Sequence, residues 1–357
     1  MTSSICSDLT VIELASVLAG PAAGMFFAEL GARVIKVEPP RGDVTRQWKV
    51  PGEDPKAPLS GYFSSINYHK EYCRLDLKTQ SGRQQVYDWV SRADIVISNY
   101  KSENAARALG MDSSSLREQN SKLIYAHLSG FESYPHRTAY DVVVQAEIGF
   151  MSMNGTPDSG PLKMPLAMMD ILAAHQLKEG ILLALLERQQ TGSGKLVRTS
   201  LERSGLVSLY NQATNQLMAG FTPGLAGSQH PNIAPYGDTF TTADDQQIVT
   251  AIGSDQQFAA FCDILNTDIA ADNRFCDNAQ RIRHREDLGR YLQMAIKQWN
   301  RNDLLERCIA QDIPIGAVRT MDDVVQSEFA QQLIREEQIE GEDTKRMSTI
   351  GFEISEI

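Results

Sequence analysis

The sequence predicts an α/β protein, with a Rossmann-like parallel sheet in a large domain and a smaller α+β domain after it. Two observations predict this. Short apolar runs alternate with helical segments through roughly the first two hundred residues, the pattern of strand-helix-strand units with parallel strands. Near residue 220 the composition turns to Gly, Pro, Ser and Asn, and helical segments predominate beyond it. The length of 357 residues, 42% of them hydrophobic, suffices for two packed cores.

Leu9-Thr-Val-Ile-Glu-Leu-Ala15 reads as the first strand, and Leu18-Ala-Gly-Pro21 breaks it. Pro21 suits the first turn of a helix through Met25-Phe-Phe-Ala-Glu-Leu30, which Gly31 ends. Arg33-Val-Ile-Lys-Val-Glu38 is a second strand closed by Pro39-Pro40, so the unit predicts parallel strands with a right-handed crossover. A helix over 82–90, strands over 94–98 and 122–128, a long helix from about 171 to 190, and a strand over 194–201 continue the alternation. The stretch from Phe221 to Tyr236 reads as a boundary or functional loop. Beyond it come a strand around 247–251 and helices near 255–265, 283–299 and 302–309. The expected domains are therefore a large domain over 1–220, a linker and glycine loop over 221–237, a small domain over 238–325, and a return segment toward the large domain over 326–357.

Charge and motifs narrow the function. Lys plus Arg number 34 against 45 Asp plus Glu, a net charge of −11, which lacks the footprint of a nucleic-acid binder. No run approaches the ~20 apolar residues needed to cross a bilayer, and residues 1–8 lack a secretory signal, so a cytoplasmic protein is expected. The five cysteines are scattered without a C-x-x-C pair, and the six histidines lack H-x-x-x-H spacing, so neither a disulfide framework nor a metal site is expected. The turn Ala19-Gly-Pro-Ala-Ala-Gly24 departs from the G-x-G-x-x-G of a dinucleotide site, and Pro21 removes a donor that a pyrophosphate would use.

Three groups of residues, in order and spacing, resemble the family III CoA-transferases, a group that includes formyl-CoA transferase and, as a mechanistic cousin, α-methylacyl-CoA racemase. They are Ala19-Gly-Pro-Ala22 through Leu30 to Pro40 with Gly42-Asp43 and Thr45-Arg46; Asn67, Lys70, Leu75 to Thr79, Asn99-Tyr-Lys101 and Arg107; and Leu128 to Phe131, Ala139-Tyr-Asp141, Gln145-Ala146, Asp170 and Thr191 to Gly194. His230-Pro-Asn-Ile-Ala-Pro-Tyr236 extends the match. The resemblance implies transfer of coenzyme A from an acyl-CoA donor to a small carboxylic acid acceptor, with CoA as substrate and no prosthetic group. It also implies a homodimer of two interlocked rings.

Asp170 matches the family's attacking carboxylate. It stands after the apolar approach Met164 to Met169 and before Ile171-Leu-Ala-Ala174, where helix N–H groups and dipole would keep it ionised. Read from the residue alone it is either a nucleophile or the cap of its own helix. Asp141 matches an acidic residue near the family's active site, or else caps a helix from Val142. Tyr140 stands where the racemases carry histidine, and a phenol of pKa about 10 shuttles protons poorly near neutrality, which favours transfer over racemisation. Gly227 and Ser228 lie on a loop that either supplies donors to an oxyanion or acts as a hinge. Leu18 replaces the glutamine with which formyl-CoA transferase holds small acids, and Lys70, Lys101 and Arg107 match CoA-contacting regions. The rival readings are a racemase or epimerase, or an acyl-CoA-binding protein without turnover.

Overall fold

A computed structural model describes residues 5–355, which cluster into two compact units. One comprises 1–149, 164–211 and 328–357 within those bounds; the other comprises 150–163 and 212–327.

The first unit is built on six parallel strands: β1 (Thr10–Leu14), β2 (Arg33–Glu38), β3 (Lys70–Arg74), β4 (Ile95–Ser98), β5 (Ile124–Ser129) and β6 (Leu196–Ser200). Their order is β3-β2-β1-β4-β5-β6, so the direction of winding reverses between β1 and β4. In such sheets the crevice at the carboxyl ends of the strands flanking that reversal is where ligands bind. Both faces are covered, which explains why β1 and β4 read as nearly continuous apolar runs. Ile12, Leu14, Ile35, Val37 and Val96 pack with Val86 and Val90 of helix Gln80–Val90. The opposite face carries helix α1 (Ala19–Glu29) and the long helix Met168–Thr191, which ends on Gly192 in the left-handed conformation.

One acid interrupts the central strand. Glu13 is fully buried, and the parallel register sets it beside Lys36. Lys36 Nζ lies 2.9 Å from Glu13 Oε1 and 3.0 Å from Asp43 Oδ2, while Lys70 Nζ lies 2.7 Å from Glu13 Oε2. A Cβ on Gly24 of α1 would come 2.0 Å from Glu13 Oε2, and one on Gly20 2.4 Å from the Ala15 Cβ. The glycines of this turn thus serve close helix-to-sheet packing over an ion pair.

The chain after 327 rejoins the first unit as an antiparallel hairpin, Ile334–Ile339 with Glu342–Met347. Its two-residue turn takes positive φ at Glu340 (51°) and Gly341 (88°), the type I′ geometry that matches strand twist. Arg46 reaches Glu340 at 2.7 Å and Arg346 reaches Glu29 at 2.9 Å, fastening the hairpin. The second unit has a three-stranded sheet, Ile315–Ala317 beside Gln247–Ala251 beside Tyr236–Thr241. Its core gathers Phe240, Ile248, Phe258, Phe261, Leu288, Leu292 and Leu304 from that sheet and the helices that follow. No helix among the described residues is long and apolar enough to cross a membrane.

Candidate active site

The chemistry-bearing residues collect where the sheet reverses. β1 ends at Leu14 and hands over to Ser16, Val17 and Leu18 before α1 begins at Ala19. Ala19, the first residue of α1, directs its N–H to the Asp170 carboxylate. That N–H is one of the four that a helix start leaves without an internal partner, so it is a free donor at the positive end of the helix.

Asp170 is the third residue of the long helix, whose N-cap is Ala167 without a side-chain bond. It does not cap its own helix. Asp141 does that work: its Oδ1 accepts from Met169 N at 2.6 Å, and its Oδ2 accepts from Gln145 Nε2 at 2.6 Å. Gln145 Oε1 in turn accepts from Met164 N at 2.8 Å, so the helix Asp141–Glu147 braces the approach to Asp170. Of the two readings open for Asp141, the cap of a helix from Val142 falls away, because that helix starts at Asp141 with Tyr140 as N-cap.

The expectation of a readily ionised Asp170 is also corrected. Burial, and then the neighbouring Asp141, push its carboxyl up to about 7, against the lowering pull of the Ala19 N–H. Tyr62, on the short helix Gly61–Ser64, is pushed up to about 12 by burial and by Asp170, Asp141 and Asp43. The phenol therefore lies within the field of both site carboxylates. The Trp48 ring meets Tyr62 edge-on with centroids 5.1 Å apart. Neither aromatic was singled out from sequence, where an exposed Trp and an isolated Tyr carry no spacing signal.

Two cavities open here. A small one of about 180 Å³ is lined by Ser16, Val17, Tyr140, Asp141, Asp170 and Leu201, with Lys101 and Arg137 at its polar side. A larger one of about 720 Å³ runs over Pro39 to Val44, Leu75 to Lys78 and Tyr100. They share Ser16, Asn99 and Lys101, so they adjoin at the ends of β1 and β4.

The remaining expected site residues fall differently. Lys101 lines both cavities and donates to Thr138 Oγ1 at 3.1 Å. Tyr140 is 54% exposed at the small cavity. Arg107 is exposed on helix Glu103–Ala108 and lines neither cavity. Leu18 is the N-cap of α1 and lines neither; Val17 faces the small cavity instead. Lys70 is a correction: its ammonium is wholly buried and bonded to Glu13, to the carbonyls of Pro21 and Ile66, and to Asn67 Oδ1, which leaves nothing for a phosphate. Gly227 and Ser228 belong to the second unit, where Gly227 N–H donates to Gly155 O at 2.7 Å and Ser228 Oγ donates to Gly237 O. No group of three or more His, Cys, Asp or Glu among the described residues gathers to hold a metal ion.

Comparison with known proteins gives consistent likenesses. The profile of CoA-transferase family III matches residues 6–356. A succinate–glutarate CoA-transferase of Agrobacterium fabrum is 37% identical over 326 residues, covering 89% of this chain and 81% of its own. A succinyl-CoA:mesaconate CoA-transferase of Haloarcula hispanica is 35% identical over 294 residues, covering 79% of this chain and 72% of its own. The crystal structure of a CAIB/BAIF family protein from Brucella suis matches with a TM-score of 0.85 at 34% identity, covering 99% of this chain and 93% of that one.

Proposed function

The chain belongs to CoA-transferase family III, and from that premise we propose that it moves coenzyme A from an acyl thioester to a free carboxylate through covalent states of Asp170. The observation that carries this reading is the Asp170 carboxylate, desolvated and set beside Asp141, with the Ala19 N–H directed at it. Desolvation strips the water that blunts a carboxylate in solution, and the same effect that makes it hard to ionise makes it a stronger nucleophile.

The steps balance without net proton movement. An Asp170 oxygen attacks the thioester carbonyl and CoA leaves as thiolate, giving a mixed anhydride. The thiolate attacks the Asp170 side-chain carbonyl, releasing the donor acid and leaving an aspartyl-CoA thioester. The acceptor carboxylate attacks that carbonyl, thiolate leaves again, and its attack on the acceptor's acyl carbon frees Asp170. In the two middle steps charge develops on the Asp170 oxygen itself, and a preorganised N–H there contributes about 3 kcal/mol. Ala19 supplies such a donor.

The 720 Å³ cavity at the strand ends suits the nucleotide end of CoA, with Lys101 at the junction for a phosphate. Arg137 and Lys101 at the small cavity suit the second carboxylate of a dicarboxylic acid. The named relatives act on succinate, glutarate or mesaconate, so dicarboxylic acyl-CoA donors and acceptors are our proposed substrates.

The test pairs succinyl-CoA with a panel of acids and follows new thioesters by mass, then adds hydroxylamine to trap acylated Asp170. We expect transfer to a dicarboxylate and a trapped adduct on the peptide carrying Asp170. The rate of trapping should rise with pH through about 7 and then level, because the ionised form reacts. Solvent deuterium entering the α-carbon without movement of CoA would replace this reading by epimerisation.

We also propose a homodimer with interlocked chains. Leu183 and Leu186 of the long helix stand 66% and 57% exposed, and Leu217 and Met218 of helix Tyr210–Ala219 stand 83% and 82% exposed. Apolar faces of that kind are covered in stable assemblies. Sedimentation equilibrium should return twice the 39.6 kDa chain mass, and a monomer at micromolar concentration would overturn the proposal.

A further inference from the structure

The turn that delivers Ala19 to Asp170 is held in an unfavourable shape. Val17 sits at φ 71°, in the left-handed region where a β-branched residue is an outlier. Such a conformation persists only where its surroundings fix it. The residue before Val17 is gripped by an asparagine just past the end of β4. The ladder between β1 and β4 ends at the pair Leu14 and Ser98. Asn99 continues it by one residue with its side chain: its Oδ1 accepts from Ser16 N at 3.1 Å and its Nδ2 donates to Ser16 O at 2.7 Å. Lys36 Nζ holds the preceding carbonyl, Ala15 O, at 2.9 Å.

We propose that Asn99 is a positioning residue: by clamping both backbone groups of Ser16 it holds Val17 in the left-handed turn that aims the Ala19 N–H at Asp170. This deepens the reading of Asp170 as nucleophile and rests on it. Asn99 never meets the reacting atoms in this account. It acts through the backbone of residues 16 to 19, with one bond from each end of its amide spent on Ser16.

The charged and titratable groups that meet Asp170 or share its cavity are Asp141, Tyr62, Tyr140, Lys101 and Arg137, and the Asn99 side chain bonds to Ser16 rather than to any of them. Loss of the clamp therefore reads out as loss of the Ala19 N–H's pull on the Asp170 carboxyl. In Asn99→Ala, hydroxylamine trapping with succinyl-CoA should slow roughly 100-fold. The acid limb of its pH profile should move up, since a contact that favours the charged form has gone. KM for succinyl-CoA should change far less than the rate. Glycine occupies φ near 71° without strain, so Val17→Gly added to Asn99→Ala should recover at least about tenfold of the lost rate and bring the limb back.

An unmoved limb in Asn99→Ala, a loss confined to KM, or a double variant no faster than the single one would each overturn the proposal. The wild-type trapping reaction separates the two levels of inference. If it fails, the nucleophile reading has failed; if it succeeds while the variants do not behave as described, only the clamp is wrong. Should Asn99→Ala fold poorly, the double variant carries the same comparison against Val17→Gly alone.

Discussion

Asp170→Asn is expected to slow CoA transfer about a thousandfold or more, equivalent to roughly 4 kcal/mol of barrier. The amide keeps the size of the side chain and still accepts from Ala19 N–H, but it cannot form an anhydride. The same variant should be more stable than the natural chain at pH 8. In the unfolded chain an aspartate titrates near 3.9, whereas folding raises Asp170 to about 7, so ionising it in the native state costs stability. The cost is absent below about pH 4, grows as pH rises and is complete above about 7. Discounted for water that reaches the site, the gain in Asp170→Asn should be about 1–2 kcal/mol at pH 8 and vanish at pH 4. Thermal unfolding at the two pH values, with steady-state transfer rates, checks both halves. A variant that retains a tenth of the activity would remove Asp170 from the chemistry.

Glu13→Gln should cost about 3–5 kcal/mol of stability, a large share of the roughly 5–15 that a folded protein has. Its carboxylate faces two buried ammonium groups, and replacing it leaves Asp43 alone to balance both. Burial already brings Lys70 down to about 8 against the pull of Glu13, so losing the partner drives that lysine toward its neutral form. Burial opposes the charge on Lys36 as well, but Glu13 and Asp43 hold its pKa above the usual value. Urea unfolding of both proteins measures the difference, and a loss under about 1 kcal/mol would show the buried cluster to be inert. Activity should fall too, because Lys36 and Lys70 hold Ala15 O and Pro21 O on either side of the turn that carries Ala19.

The sheet was legible where it is buried on both faces, since β1, β2, β4 and β5 must then be apolar along most of their length. The edge strand β6 was legible as well, but the edge strand β3 and the hairpin escaped notice. β3 is Lys-Glu-Tyr-Cys-Arg, and the hairpin is Ile-Arg-Glu-Glu-Gln-Ile with Glu-Asp-Thr-Lys-Arg-Met; their polarity reflects solvent, and β3 is defined by a ladder to residues of β2 far away in the chain. For the hairpin, the dipeptide Glu340-Gly341 was the usable signal.

Within the site, Asp170 and Asp141 came from the family likeness, yet their division of labour did not. A helix start shows which residues are near it, but not which of two carboxylates turns to the amides. Lys70 was misread because an ammonium that meets a phosphate and one that meets a buried acid look alike in sequence. The distinguishing clue was Glu13, an acid inside an apolar strand, with Lys36 at the matching place in the next. The clamp at Asn99 spans 83 residues of sequence, and no local pattern encodes it.

Asp141 is fixed in place as the cap of the long helix, so the crowding of negative charge around Asp170 is built into the resting enzyme. On the proposed route, attachment of an acyl group or of CoA turns the Asp170 carboxylate into an uncharged anhydride or thioester, and the repulsion disappears at the moment the bond forms. The empty enzyme is then the tense state and the loaded one the relaxed state. A reactive anhydride, short-lived in water, would gain part of its lifetime from a scaffold that sits more comfortably around it than around the free acid.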